Sequence, residues 1–282
     1  MRIMNKLAIG RLAEKDQDVI DAKMEKMSDE NLDPYDLEPT RSPLLIVHSD
    51  QPMNAEVPAD NLTEQYLTPA EIFYIRHHHP VPLLETEDEK KFKLEVDLSS
   101  FGKPSRQFLR SSPSKKFTLA DIKKLPKVEV VATLQCSGNR RGDMNKIKRT
   151  SGTSWDQGAV STAKWGGARL VDVLKAAGLD DPYAVADKNG TQKHVLFESL
   201  DGMKASINIE KATNPYGDVI VAYEMNGKDL PREHGYPLRI IVPGFAAVRN
   251  VKWVNKIELA ESESEGAWQR GLNYKTLPPT TA

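Results

Sequence analysis

The chain has 282 residues, with 39 basic and 40 acidic side chains, a formal charge of -1 and a single cysteine. That length suits one or two domains with a sizeable core. The charge balance offers no global field for nucleic acid or an anionic membrane, and one thiol excludes an intrachain disulfide framework or a four-ligand cysteine-rich zinc module.

Residues 1–33 place Leu12, Val19, Ile20, Met24 and Met27 at near-helical spacing among many charges, which predicts a peripheral helical remnant or linker. The stretch turns acidic too early for a secretory leader or transit peptide, and no apolar run approaches the roughly 18 residues of a membrane span. Residues 34–71 are rich in Pro, Asp and Asn ("DPYDLEPTRSP", "DQPMNAEVPAD") and predict an extended arm along a surface. Folding proper is expected from Ile72, giving one domain over 72–282. "IFYIRHHHPVP" and "FKLEVDL" read as strands, "TLADIKKLP" as a short helix opened by Thr118, and "VEVVATLQC" as an alternating strand. In "GARLVDVLKAAGL", Leu170, Val173, Leu174 and Ala177 form one helical face and Gly178 supplies the stop. "KHVLFESL", "KASINI", "VIVAYEMNG", "LRIIVPGF" and "VKWVNKIEL" are short and β-branched, with a turn signal at Asn226-Gly227. The pattern predicts an α+β fold, mainly β, with mixed sheets and short helices. It contains no internal repeat, dinucleotide glycine fingerprint or phosphate loop.

Cys136, in "TLQCSGNRR", falls where strand text gives way to a small polar loop, a position exposed enough for chemistry. A lone cysteine is more often a small buried hydrophobe. Against that, Arg140 and Arg141 favour the thiolate, the form that ligates a metal or attacks an electrophile. A nucleophile needs a base, and His234 in "PREHGYPLR" is a candidate, although a structural histidine accounts for it equally well. "RHHHP" at 76–80 invites a metal reading. Neighbouring strand side chains point to opposite faces, so only His77 and His79 share a side, and no nearby acidic or sulfur ligand completes a set. Arg76, Arg140, Arg141, Arg239, Arg249 and Lys252 fall in strand-like or turn text. Each alone is ordinary surface charge. Together with a lone thiol they favour a bound anion, because a buried cation needs an anionic partner and guanidinium matches oxyanions bidentately.

"FYIRHHHPVP", "VVATLQCSGNRR", "SWDQGAVSTAKWGGARLVDVL", "VAYEMNGKDLPREHGYPLRIIVPG" and "VRNVKWVNKIEL" follow one another over most of 72–275. Together they resemble the molybdenum-cofactor domain of the sulfite oxidases, and "QPMNAEVPADNLTEQYLTP" is similar to the lead-in of the animal enzymes. The resemblance implies a molybdopterin-binding catalytic domain over 72–282 that oxidises sulfite to sulfate by oxygen-atom transfer at a Mo-molybdopterin centre. It implies Cys136 as the protein ligand to molybdenum, and Arg76, His78, Asp201, His234, Arg239, Asn250 and Lys252 as residues that hold the pterin. Around the metal it implies a sulfite pocket of Arg76, Arg141, Trp155 and Tyr274. Two positions depart from the family: His77 stands in place of asparagine and Ser137 in place of alanine.

The animal enzymes carry a haem domain of cytochrome b5 type before this region, of which "LAIGRL" resembles only the last residues, and the family continues into an immunoglobulin-like dimerisation domain after it. The expectation is a catalytic core without haem and without the family's homodimer contact, passing electrons to a haem domain, cytochrome c or a small oxidant. By resemblance the compartment is the mitochondrial intermembrane space, although no targeting segment is visible. A nitrate-reductase-type molybdenum domain is the runner-up, followed by a cofactor-binding domain with little activity. From the residues alone, a packing role for Cys136 also stays open.

Overall fold

The computed structural model describes residues 33–84, 91–99, 114–179, 181–182, 193–271 and 273–275. The helical segment read over 1–33 lies outside them, apart from Asp33. In chain order the strands are β1 (Ile46–Asp50), β2 (Met53–Glu56), β3 (Ile75–Arg76), β4 (Leu94–Asp97), β5 (Ser114–Phe117), β6 (Lys127–Gln135) and β7 (Val160–Arg169). They continue with β8 (His194–Ser199), β9 (Lys204–Asn208), β10 (Ile220–Met225), β11 (Lys228–Asp229), β12 (Arg239–Ile241) and β13 (Val254–Ala260). The short helices are α1 (Ala59–Thr63), α2 (Leu119–Lys123), α3 (Arg141–Asn145), α4 (Leu170–Ala176) and α5 (Ile209–Thr213). This is the mainly β, α+β architecture that the pattern predicts.

Three sheets form: β1-β2-β3, β11-β10-β7-β6 with β12 also on β10, and β5-β4-β13-β8-β9. Every pairing is antiparallel except β4 with β13. Around β10 and β12 the middle sheet is buried on both faces. Val221 and Tyr223 of β10 and Ile240 of β12 join a core with β4, β8, β13 and α4. Ile220, Ala222 and Ile241 point the other way, into a second core with Leu134, Trp165, Ala55 and Ile75. The two-residue period of a strand sends alternate side chains into different cores.

Local signals worked as written. Thr118 and Asp121 form a reciprocal capping box on α2, and Asn226 and Gly227, at φ 52° and 81°, turn β10 into β11. Two expectations need correction. The stretch read as a surface arm contains a packed hairpin, because β2 pairs with β1 on one side and β3 on the other and all four of its residues are buried. The strand expected over "IFYIRHHHPVP" shrinks to Ile75–Arg76. Its partner β2 begins at Met53, so after His77 N–H donates to the Met53 carbonyl, at 3.0 Å, there is no further backbone to pair with. No helix of the described residues is long and apolar enough to cross a membrane.

Gly167 of β7 lies between Val128 of β6 and Ala222 of β10. A Cβ there would run into the Val221 carbonyl oxygen. Gly167→Ala is expected to lower stability by about 1–3 kcal/mol or more, as overpacking does. A urea midpoint that falls with unchanged slope is the check.

Candidate functional site

A cavity opens where several chain ends meet: the residues after β3, the end of β6, the turn between β8 and β9, and two single-turn 3-10 segments, Arg232–His234 and Ala247–Arg249. Cys136 lines it directly after β6. Its N–H donates to the Ala159 carbonyl at 3.0 Å, its carbonyl accepts the Asn139 N–H at 3.0 Å, and the Gly138 N–H approaches its Sγ at 3.4 Å. The thiol is less open than its sequence position suggests, at 8% exposure. Ala132, Leu134 and Cys136 alternate onto the same buried face of the chain, so the sulfur meets the cavity rather than bulk solvent.

Two cations dominate the walls. Arg239 shares the face of Ile241 and stacks over Trp165, its Cζ 4.6 Å from the ring centroid. It donates to the carbonyls of His234 (2.8 Å) and Asn250 (3.1 Å), while its Nε is buried without a protein partner. Lys252 Nζ lies 4.4 Å from the Trp253 ring centroid and donates to the Glu233 carbonyl at 3.4 Å. Among the described residues, no carboxylate oxygen comes within 4.0 Å of either cation. Desolvation pushes Lys252 down to about 7, against the pull of Glu233, and brings Arg239 to about 10.

The cavity's histidines are neutral. Burial pushes His234 down to about 3, and its Nε2–H donates to the Ala70 carbonyl at 2.8 Å, leaving Nδ1 as the acceptor. Burial, then Arg76, lowers His78 to about 3. The His78 ring packs on Trp268 at 4.9 Å and its Nε2 lies 3.5 Å from the Tyr274 hydroxyl. Arg76 donates to Asn54 Oδ1 at 3.0 Å and to the His77 carbonyl. Asp201 accepts from the Ser199 hydroxyl and from the Met203 N–H at 3.2 Å. Asn250 accepts the Val242 N–H at 2.7 Å.

Arg76, His78, Cys136, Asp201, His234, Arg239, Asn250, Lys252 and Tyr274 therefore line one cavity, whereas Arg141 and Trp155 do not. Arg141 is half-buried and donates to the Thr153 carbonyl at 2.7 Å, and Trp155 is fully buried in the second core. Arg140 is exposed and pairs with Asp143, while Arg249 donates to the carbonyls of Trp268 and Tyr274, both at 3.3 Å. Neither lines the cavity, and neither leaves a buried nitrogen without a partner as Arg239 does, so the anion suggested by their sequence positions is not theirs to bind. The "RHHHP" reading also changes. Off the strand, His77 turns inward while His78 and His79 both pack on Trp268. Acidic groups do approach His77, since Glu38 and Glu233 lie within 4.8 Å of it. They are already engaged by Arg41, which reaches Glu233 through two nitrogens at 2.9 and 3.1 Å and also binds Glu38. Sequence reasoning missed Asn54, Arg41 and Glu233. The only signal was polar residues interrupting apolar text, which is weak.

Residues 78–268 match the family described as oxidoreductase molybdopterin binding domain. The chain belongs to that family. Over 254 residues it is 44% identical to "Sulfite oxidase, mitochondrial" of Rattus norvegicus, a match covering 88% of this chain and 43% of the relative. "Sulfite oxidase" of Arabidopsis thaliana is 41% identical over 254 residues, covering 87% and 61%. "Nitrate reductase [NADH]" of Ulva prolifera is 34% identical over 251 residues, covering 86% and 27%. The solved structure of the sulfane dehydrogenase SoxCD from Paracoccus pantotrophus shares the fold, with a TM-score of 0.63 at 24% identity over 86% of this chain and 53% of that one. The chain thus spans less than half the length of the rat relative.

The cavity's chemistry fits the group that this molybdopterin-binding family is named for. An orphaned guanidinium Nε and an ammonium without a carboxylate suit an anionic phosphate, a neutral imidazole suits a ring edge, and an inward thiol is a soft donor for molybdenum. Lys252 supplies a test of the cofactor-free protein. Its folded pKa lies below the ordinary 10.5, so between about 7 and 10.5 the unfolded chain binds more protons and this group's contribution to stability rises with pH. Lys252→Met is expected to flatten that rise and to lift the melting temperature at pH 7 by several degrees. Calorimetry of both cofactor-free proteins at neutral and alkaline pH measures it.

Proposed function

We propose that this chain oxidises sulfite to sulfate at a bound molybdenum-pterin centre and hands the electrons to a separate acceptor, a haem domain, cytochrome c or a small oxidant. One observation carries the choice of substrate: over the same span, relatives named sulfite oxidase are 41–44% identical, against 34% for the nitrate reductase. Several of those relatives, including the rat and fly proteins, are also named mitochondrial, which supports that compartment.

When bound, the cofactor supplies two-electron oxygen-atom exchange. In this reading Cys136 is the thiolate that would hold the metal. Arg239 and Lys252 would take the pterin's phosphate, with Arg76, His78, Asp201, His234 and Asn250 at its ring edges and flanks. Sulfite brings its own lone pair, so no side chain has to remove a proton. What the protein must do is hold a dianion in place and stabilise its charge. Arg76 in the cavity wall and Arg141, whose guanidinium packs on Gly138 two residues past Cys136, would supply positive charge for that purpose, Trp155 would back them from the second core, and Tyr274 would donate a hydrogen bond to a substrate oxygen.

The test is molybdenum and pterin content of purified protein, followed by sulfite-dependent reduction of ferricyanide and, separately, of cytochrome c. Cys136→Ser is expected to lose bound molybdenum and all turnover while keeping the fold, because a hydroxyl is a harder, weaker donor than a thiolate. Arg239→Ala is expected to lower pterin content, with little change in the sulfite KM of the fraction still loaded. Arg141→Gln should do the reverse, keeping pterin and raising the KM by the roughly 1.5–3 kcal/mol of a lost charge-assisted hydrogen bond. Molybdenum without turnover would make the chain a cofactor-binding domain.

A further inference from the structure

Glu56 ends β2 with 1% exposure, and neither the cofactor cavity nor the proposed chemistry uses it. Its Oε1 accepts the Asp156 N–H at 3.2 Å and its Oε2 accepts the Gly158 N–H at 3.1 Å. His48 Nε2, on neighbouring β1, lies 3.0 Å from the same Oε1. The next residue continues the seam, since the Val57 N–H donates to the Gly158 carbonyl at 3.2 Å. Contact there is so close that a Cβ at Gly158 would run into the Val57 carbonyl oxygen.

The far side of this segment is held as firmly. The Gly142 N–H donates to the Trp155 carbonyl at 2.8 Å and the Arg140 N–H to the Asp156 carbonyl at 2.6 Å. Residues 155–158 are therefore pinned between β2 and the turn that carries Arg141. The His48 ring also stands edge-on to Trp155, with centroids 5.0 Å apart and planes at 72°. Trp155 itself is fully buried, and its indole N–H has no partner among the described residues. An orphaned buried donor is costly, and it persists where its geometry is imposed by the surroundings and a ligand can use it. A buried carboxylate that bridges two backbone amides imposes such geometry, because charge-assisted bonds are shorter and stronger than neutral ones.

We propose that Glu56, assisted by His48, is a positioning residue for the oxyanion pocket: it fixes the 155–158 segment, and through Arg140 and Gly142 the turn bearing Arg141, in the arrangement that binds the substrate. The inference rests on the proposed function, in which Arg141 binds sulfite and Trp155 backs it from the second core. Glu56 touches no substrate in this scheme; it sets the separation and direction of those two groups.

The experiment compares the molybdenum-loaded parent with Glu56→Gln and His48→Asn. Glu56→Gln preserves shape but removes the charge and turns an amide N–H toward backbone N–H groups. The readouts are molybdenum per chain, kcat and KM for sulfite, and quenching of tryptophan fluorescence by sulfate. The expected result for Glu56→Gln is parent-like molybdenum, a kcat within about threefold of the parent, a sulfite KM raised roughly tenfold or more, and equally weakened sulfate quenching. His48→Asn should shift KM in the same direction by less, and it carries the same test if Glu56→Gln does not fold. An unchanged KM and unchanged quenching in a loaded variant overturn the inference alone, as does a loss confined to kcat. A loaded parent that neither oxidises sulfite nor responds to sulfate overturns the proposed function and this inference with it.

Discussion

Arg239 is buried and Lys252 half-buried, and among the described residues no carboxylate oxygen lies within 4.0 Å of either; much of the surrounding structure serves to keep them there. Burying a cation costs several kcal/mol unless something offsets it. Here the offset is partial. Backbone carbonyls of Glu233, His234 and Asn250 point at the two charges, and the faces of Trp165 and Trp253 lie against them. Carbonyl dipoles and ring quadrupoles stabilise a cation without cancelling its charge, so the cavity stays electropositive and open to an anion. The depressed pKa values of both groups, lowered first by desolvation, express the same incomplete compensation.

Glu233, the acidic side chain with the largest influence on Lys252, is directed elsewhere. Glu233 precedes His234 and gives its backbone carbonyl to Lys252, yet its carboxylate is gripped by both arms of Arg41, which also binds Glu38. A free Glu233 carboxylate would neutralise Lys252 and fill the place of the anion. The segment before β1 thus does electrostatic work as well as packing, because it supplies the guanidinium that holds Glu233 away from the cavity. His77 lies in the same cluster, buried and held well below its ordinary pKa by desolvation, so it adds no charge.

Glu56 repeats the pattern at the second core. A buried carboxylate there is satisfied by backbone N–H groups, with the His48 imidazole 3.0 Å away, rather than by a neighbouring arginine. The two carboxylates solve different problems with the same device. Glu233 is held by Arg41 and so leaves Lys252 without a carboxylate contact, while Glu56 spends its lone pairs on fixing the backbone that carries Trp155. In both cases residues ahead of Ile72 provide the contact, so the stretch from Arg41 through β2 belongs to the site as much as to the fold.

What the sequence by itself determined follows from short-range rules. Period-two alternation placed most strands, the Thr118 cap and the Asn226-Gly227 turn were visible within four residues, and the density of cations in strand-like text pointed to an anion near Cys136. Tertiary structure alone decided the rest. "DQPMNAEVPAD" reads as polar linker, yet Asn54 and Glu56 are buried because Arg76 and the amides of Asp156 and Gly158 arrive from 22 to 102 positions away. Likewise Arg140 and Arg249 resemble Arg239 in sequence, but one meets Asp143 at the surface and the other, though it too meets two carbonyls, lies off the cavity and leaves no buried nitrogen unpartnered. A strand's period or a helix cap depends on neighbours along the chain. Whether a charged side chain is exposed, paired or left waiting for a ligand depends on what the fold brings to it, and no local pattern encodes that partner.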